Sequence, residues 1–250
     1  MSLPDIPTLT LVVILVAFII GGMVKGALGG GLPAVGLPIL VLQLEPAQAV
    51  VLFVAPVILS NIWQIKQAGQ SLPAVKRFWP FLVTLVIGVW IGAGALTSLD
   101  PKTIALALGC LVIATTLAQV FIREVRVLKG RSGFINPIAG AAIGLCGGAT
   151  GVFTPVIVYF AALRLPKDLF VAQMAIAAMT GSIPLYLRLV AEDHLSWTQL
   201  GASFLALIPT GVGLVIGFWI RDRISEETFR RAVLIGLVLL GGGLIWRGLS

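Results

Sequence analysis

Long apolar blocks separated by short polar runs fill almost the whole chain of 250 residues. A helix needs about 20 apolar residues to cross a bilayer, and six blocks reach that length. We therefore predict membrane-spanning helices over 47–65, 78–98, 101–122, 168–190, 197–220 and 228–246. Two further blocks, 9–44 and 134–163, are too long for one span and too short for two, so we expect a break inside each.

Both of these longer blocks carry the same glycine-rich motif. The motif reads Gly22-x3-Gly26-x2-Gly29-Gly30-Gly31-x6-Pro38 in the first block and Gly140-x3-Gly144-x2-Gly147-Gly148-x6-Pro155 in the second. Glycine permits a tight backbone reversal and the close approach of a ligand, and paired helix breaks at matching positions of a membrane chain point to a transport site. The sequence therefore predicts two related halves, 1–125 and 134–250, joined by a basic linker, 126–133.

The composition favours a membrane protein over other classes. Hydrophobic residues make up 58% of the chain and charged residues 11%, and the mean hydropathy is +1.08, so there is too little polar surface to coat a soluble globule. The net charge of +7 is spread singly between apolar blocks, which is typical of membrane loops and argues against a nucleic-acid partner. The two cysteines and the one histidine have no metal-ligand spacing. We therefore expect no metal, no cofactor and no enzyme activity.

The lysine and arginine positions predict how the chain is oriented, because these residues accumulate in cytoplasmic loops. If each glycine-rich block crossed the membrane once, the basic residues would divide almost evenly between the two faces. If each block turns back instead, only Lys102, Arg188 and Arg247 leave the common face, apart from Lys25 within a membrane segment. We predict the second arrangement, in the bacterial cytoplasmic (inner) membrane, with a basic cytoplasmic face and both termini extracytoplasmic.

This topology gives the two halves opposite orientations. The predicted fold is an all-α integral membrane protein built from two inverted-topology repeats. Each repeat is a broken or re-entrant glycine-rich helical hairpin followed by three transmembrane helices. Short helices over 32–42 and 152–162 are expected to return from each turn, with their N-termini pointing at the bilayer centre from opposite sides.

Such a pair of turns is suited to a negatively charged ligand. A helix N-terminus exposes unpaired amides and carries about half a positive charge, which attracts anions. Lys25 and polar side chains on neighbouring spans would add to this site. The candidate substrate-binding residues are Lys25, Gly29, Gly30, Gly31, Asn61, Gly147, Gly148, Ala149, Thr150, Thr154 and Ser182.

Each candidate has a plainer interpretation. The glycines would be explained by close helix packing, as we expect for the shorter match between Gly88-x3-Gly92 and Gly213-x3-Gly217. Lys25 would be explained by snorkelling of its long side chain to the interface, and the threonines by hydrogen bonds back to their own helices. These alternatives stay open at the level of the sequence.

The repeated glycine motif, the two halves of similar length and the basic loop between them resemble the TauE/SafE family of sulfite exporters and four-toluene-sulfonate uptake permeases. The resemblance covers essentially the whole chain, but the second motif has Ala149 and Thr150 where the first has Gly31 and Leu32. It implies a transporter of sulfur-containing anions, with a small anion and the lipid bilayer as partners. Homo-oligomers are compatible with it.

The resemblance implies export of sulfite by alternating access, with one half rocking against the other. All ten acidic residues fall in the N-terminal tail, in loops or at the ends of predicted spans, which disfavours carboxylate-based proton coupling. An inside-negative potential is able to expel an anion unaided. Uptake of an organosulfonate or another sulfur oxyanion, such as sulfoacetate or thiosulfate, is the alternative. An anion channel and a membrane-embedded enzyme are weaker alternatives.

Overall fold

The computed structural model describes residues 7–69, 71–121 and 132–250. This part of the chain contains twelve helices and no strands. The helices are α1 (Thr8–Leu28), α2 (Leu32–Val41), α3 (Pro46–Val51), α4 (Val54–Ala68), α5 (Ser71–Ser98), α6 (Pro101–Phe121), α7 (Ser132–Thr150), α8 (Thr154–Ala162), α9 (Lys167–Ala191), α10 (Trp197–Leu205), α11 (Leu207–Arg221) and α12 (Glu226–Leu249). Most of the predicted linker, including Arg126, Lys129 and Arg131, lies outside the described residues.

The prediction of an all-helical integral membrane protein is confirmed. Within the described ranges, seven helical stretches are long and apolar enough to cross a membrane. Large apolar side chains point outward from them, as lipid contact requires; Ile87, Ile208 and Leu239 are examples. The seven stretches are Thr8–Leu28, Pro46–Ala68, Leu72–Ser98, Pro101–Phe121, Asp168–Ala191, Trp197–Arg221 and Glu227–Leu249.

The first glycine-rich block folds as a helical hairpin. With a rise of about 1.5 Å per residue, α1 is about 31 Å long and α2 about 15 Å long, so α1 alone has the length of a span. The break lies at 29–31, where Gly29 (φ 78°) and Gly31 (φ 95°) adopt the left-handed conformation that glycine tolerates. From there α2 runs back in close contact with α1. A Cβ added to Gly21 would lie 2.8 Å from the Leu32 carbonyl oxygen, and a Cβ added to Gly36 would lie 3.1 Å from the Ala17 carbonyl oxygen, so glycine is needed at both positions.

The second block forms a hairpin too, but its break comes later in the motif than the break of the first block. Helix α7 continues to Thr150, and the chain reverses at 151–153 with Gly151 at φ 74°. The positions that match 29–31 are 147–149, about one helical turn earlier, and α8 begins at Thr154 where we predicted a helix from 152. The physical reason is packing: a side chain on Gly147 would collide with the Phe153 ring, and one on Gly148 with the backbone of α5.

Two segments that we predicted as single spans are interrupted near a proline. Proline has no N–H to donate to the carbonyl four residues earlier, and Pro56 and Pro209 each follow a break between two helices. At the first break the Leu52 carbonyl accepts a hydrogen bond of 3.0 Å from the Ser203 hydroxyl. The same hydroxyl accepts a bond of 2.9 Å from the Ala55 N–H. Ser203 of α10 therefore provides hydrogen-bond partners for the two backbone groups that the break leaves unpaired within their own helix.

The glycines at four-residue spacing pack helices closely, as we predicted for the shorter match. Gly22 and Gly26 of α1 face Gly213 and Gly217 of α11, where Cβ atoms on the α1 glycines would lie 3.2 Å from the Cα atoms opposite. Gly88 and Gly92 of α5 pack in the same way against Gly144 and Gly148 of α7. Each pair joins a helix of the first half to one of the second, so the halves interlock.

The bundle has two distinct ends. The end at which α4, α6, α8 and α11 finish and α5, α7, α9 and α12 begin is called the basic end. Its described basic residues are Lys66, Lys76, Arg77, Arg164, Lys167, Arg221, Arg223, Arg230 and Arg231. The opposite end carries Lys102, Arg188 and Arg247, and the Arg247 side chain donates to the Val41 carbonyl where α2 finishes. The first hairpin therefore enters and leaves at the opposite end, and the second at the basic end.

Candidate functional site

A cavity of about 70 Å³ lies where the two hairpins meet. We call it the central cavity, and the first turns of both α2 and α8 line it. A water molecule takes up roughly 30 Å³ in the liquid, so the volume suits two waters or one small oxyanion. Seven of the predicted site residues line it: Lys25, Gly29, Gly30, Gly31, Asn61, Thr154 and Ser182.

Lys25 supplies the charge of this cavity. It lies in the last turn of α1 with only 9% of its surface exposed, and its Nζ donates a hydrogen bond of 2.9 Å to Asn61 Oδ1 on α4. None of the described residues that line the cavity carries a carboxylate. A buried cation whose partner is a neutral amide is costly in a membrane, and a bound anion would provide the missing countercharge.

The first glycine turn leaves its backbone open to a ligand. A Cβ added to Gly29 or Gly30 would meet no atom within 4 Å. The turn is held in place by Gln64, whose Nε2 donates a hydrogen bond of 2.6 Å to the Gly29 carbonyl. Gln64 is not among the residues predicted from the sequence. The signal was its position three residues after Asn61, which places the two amides on the same face of α4.

Two hydroxyl groups from the second half complete the lining. Thr154 is in the first turn of α8 with 5% of its surface exposed, and its Oγ1 has no hydrogen-bond partner among the described residues. Ser182 on α9 is equally buried and contacts the Tyr186 side chain. A buried hydroxyl without a partner costs free energy, which a ligand oxygen would recover.

The other four candidates do not line the central cavity. Gly147 and Gly148 lie inside α7 and pack against neighbours, and Ala149 lies beside α5 at Gly92. The Thr150 hydroxyl donates 2.7 Å to the Cys146 carbonyl, which is the back-bonding alternative for threonine. Because the second turn comes one helical turn later than its counterpart, these residues are helical, and Thr154 is the one candidate from the second motif that lines the cavity.

Two larger cavities connect the central cavity with the basic end. One, of about 700 Å³, lies between α1, α4 and α11 and shares Lys25, Gly29 and Gln64 with the central cavity; it extends to Arg221. The other, of about 310 Å³, shares the glycine turn and Thr154 and extends to Arg230. Neither has a carboxylate among its described lining residues.

At the opposite end, α9 is held against α5. The Arg188 guanidinium lies 5.4 Å from the centre of the Trp90 ring and forms an ion pair with Glu192. The pKa of Glu192 is held below its usual 4.5, first by a hydrogen bond from Thr97 of α5 and then by Arg188. These contacts hold α9 against α5 at the opposite end, whereas the two larger cavities extend from the site to the basic end.

Comparison with known proteins identifies the family of the chain. The family model described as sulfite exporter TauE/SafE matches residues 13–244, which is nearly the whole chain. No curated protein and no solved structure matches the chain. The resemblance drawn from the glycine motif is confirmed: this chain belongs to the TauE/SafE sulfite exporter family of multi-span membrane transporters.

Proposed function

We propose that this protein exports sulfite, which binds in the central cavity. The observation that carries the proposal is the lining of that cavity: a buried lysine, an open glycine turn and an unpaired threonine hydroxyl, with no carboxylate among the described lining residues. Two helix N-termini contribute about half a positive charge each, and Lys25 contributes a full charge. The site is therefore suited to an anion and unsuited to a cation.

The size of the cavity supports a small oxyanion. A volume of about 70 Å³ accommodates a group of four or five heavy atoms. Sulfoacetate and aromatic sulfonates are larger and would extend from the central cavity into the adjoining cavities. Sulfite is the sulfur anion that fits wholly within the central cavity, and we therefore place it before the organosulfonate alternative.

The direction of transport follows from where the basic end lies. We place the basic end in the cytoplasm and both termini outside the inner membrane, because basic residues accumulate on the cytoplasmic side. The described conformation is then open inward. A membrane potential, negative inside, contributes roughly 2.3 kcal/mol per charge per 100 mV to the exit of an anion, so export needs no coupling ion.

Alternating access would move bodies that combine the two inverted repeats. The close glycine contacts make rigid pairs of α1 with α11 and of α5 with α7, so rocking of one sequence half against the other would break both pairs. Instead, the 700 Å³ cavity lies between α4 and α11, which meet at the Trp63 and Phe218 rings, while α9 contacts α5 through Arg188. In the outward-open state we expect α4 to close on α11 and α9 to part from α5.

Flux measurements in proteoliposomes test this function. Sulfite, sulfate, thiosulfate and sulfoacetate are compared under an imposed potential of either sign, and we expect sulfite to move fastest and toward the positive side. Thr154→Val and Thr150→Val form a matched pair, since only the first hydroxyl lines the cavity. We expect Thr154→Val alone to lower sulfite flux several-fold. Preference for sulfoacetate, or no potential-driven sulfite flux, would contradict the proposal.

A further inference from the structure

The 310 Å³ cavity at the basic end contains an arginine that the central site does not use. Arg230 lines this cavity from the second turn of α12. Its Nε is buried and has no hydrogen-bond partner among the described residues. Its Nη2 lies 3.8 Å from Glu227 Oε2, whereas the neighbouring Arg231 bonds the same carboxylate at 3.1 Å. The Nε–H of Arg230 is therefore a buried donor that is available to a ligand in the cavity.

The rest of the lining makes Arg230 the dominant charge of this space. Among the described lining residues Arg230 is the one charged side chain, and most of the others are apolar. A charge surrounded by apolar walls is screened less than one in water. Guanidinium presents its N–H groups as a planar fork that binds oxyanions through two parallel hydrogen bonds.

We propose that Arg230 forms a second anion site, a vestibule site that captures oxyanions at the basic end before they pass to the central cavity. The shared lining supports the passage: Gln64, Thr154 and the turn 29–31 border both cavities. The ligand class is a sulfur oxyanion, recognised by two of its oxygens. The role in transport rests on the proposed function, whereas anion binding at Arg230 does not.

A labelling experiment tests the site without transport. Ala161 lines the same cavity, and Ala161→Cys is introduced after Cys110 and Cys146 are replaced by alanine. The quantity measured is the ratio of labelling rates by an anionic and a cationic methanethiosulfonate reagent on purified full-length protein. We expect Arg230→Gln to lower this ratio about tenfold, as loss of a nearby unit charge requires. Arg231→Gln removes the same charge from an exposed side chain and is expected to change the ratio less than twofold.

Inorganic sulfate is the probe for binding. We expect sulfate to slow labelling of Ala161→Cys when Arg230 is present and to have no effect in the Arg230→Gln variant. If that variant does not fold, Arg230→Lys serves instead: it keeps the charge and hence the labelling ratio, but it loses the fork and weakens protection by sulfate about tenfold. Equal ratios in the Arg230→Gln and Arg231→Gln variants, or equal sulfate protection with lysine and arginine, would overturn the site.

Flux then separates this site from the proposed function. If sulfite is transported, Arg230→Gln should raise the half-saturating concentration at the basic face about tenfold while the maximal rate stays within twofold, and Arg231→Gln should change neither. Protection by sulfate without any sulfite flux would support the vestibule site and contradict sulfite export. Sulfite flux with an unchanged half-saturating concentration in the Arg230→Gln variant would contradict capture at Arg230.

Discussion

Replacing Lys25 by glutamine removes the one charged side chain among the described residues that line the central cavity, while keeping a side chain that can contact Asn61. The Lys25 Nζ lies 2.9 Å from Asn61 Oδ1 and lines a space for a single small oxyanion. An anion about 4 Å from Nζ would interact with the lysine charge by about 4 kcal/mol at an effective dielectric constant near 20. Desolvation of the anion offsets part of this attraction. A net loss of about 2 kcal/mol corresponds to roughly 30-fold weaker binding.

The assay is sulfite flux into or out of proteoliposomes over a range of sulfite concentrations. Lys25→Gln is expected to raise the half-saturating concentration about 30-fold. Lys66→Gln, which removes the same charge from an exposed position on α4, is the control and should leave it within twofold. A Lys25→Gln variant that also stays within twofold of the unmodified protein would refute the assignment of Lys25 to substrate binding.

Thermal unfolding separates lost binding from lost folding in this variant. Lys25 is a buried charge with a neutral partner, and such a charge destabilises the unliganded protein. Its neutral replacement is therefore expected to raise the unfolding midpoint in detergent while flux falls. A lower midpoint would show that Lys25 stabilises the fold, and the flux result would then say nothing about the ligand.

Three further predictions concern the packing between helices and the contacts of Glu192 at the opposite end. Ser203→Ala leaves two buried backbone groups without their partner and is expected to cost about 1–3 kcal/mol of stability, seen as a lower unfolding midpoint, whereas Ser60→Ala removes only a bond within one helix and serves as the control. Gly213→Ala places a methyl group 2.9 Å from a backbone nitrogen of α1 and is expected to cost about 1–3 kcal/mol; Gly211→Ala, two residues away on α11, meets nothing within 4 Å and should not destabilise. Because the pKa of Glu192 is lowered in the fold, its contribution to stability is present above the ordinary value of 4.5 and is lost as the pH falls through the lowered pKa. The difference in unfolding midpoint between the unmodified protein and Glu192→Gln should therefore vanish in that acidic range, and a constant difference down to pH 3 would contradict it.

The sequence predicted the elements better than their contacts. Apolar block length and the triple glycine located the first break, because Gly29 and Gly31 themselves adopt the left-handed conformation that ends α1 and begins α2. The returning helix of the second hairpin was placed two residues too early, since the sequence does not reveal that the Phe153 ring packs on Gly147 within the turn. The break before Pro56 was missed as well, because its repair depends on Ser203, almost 150 residues away in the chain.

The sequence predicted which residues belong to the candidate site but not how they contact one another. Lys25, Asn61, Thr154 and Ser182 were singled out as polar groups in apolar segments, and the structure brings all four to one cavity. Their pairing was beyond the sequence, because Lys25 and Asn61 are 36 residues apart on different helices. The contact of Gln64 with the glycine turn was not predicted, because an amide near the end of a span resembles an ordinary interfacial residue.

The two copies of the glycine motif contribute differently to the central cavity. The proposed ligand site therefore lies between the helix pairs that we expect to move. The first copy provides Lys25 and an open turn on α1, which is fixed to α11, whereas the second copy uses its glycines to fix α7 to α5 and provides Thr154 beyond them. An anion in the central cavity therefore contacts the α1–α11 pair on one side and the α7–α8 hairpin on the other. A ligand shifts a conformational equilibrium only through contacts that differ between the states. If an anion binds there as proposed, it would contact both helix pairs, so any relative movement of those pairs would change its contacts. Its binding would thereby be coupled to the movement proposed for transport.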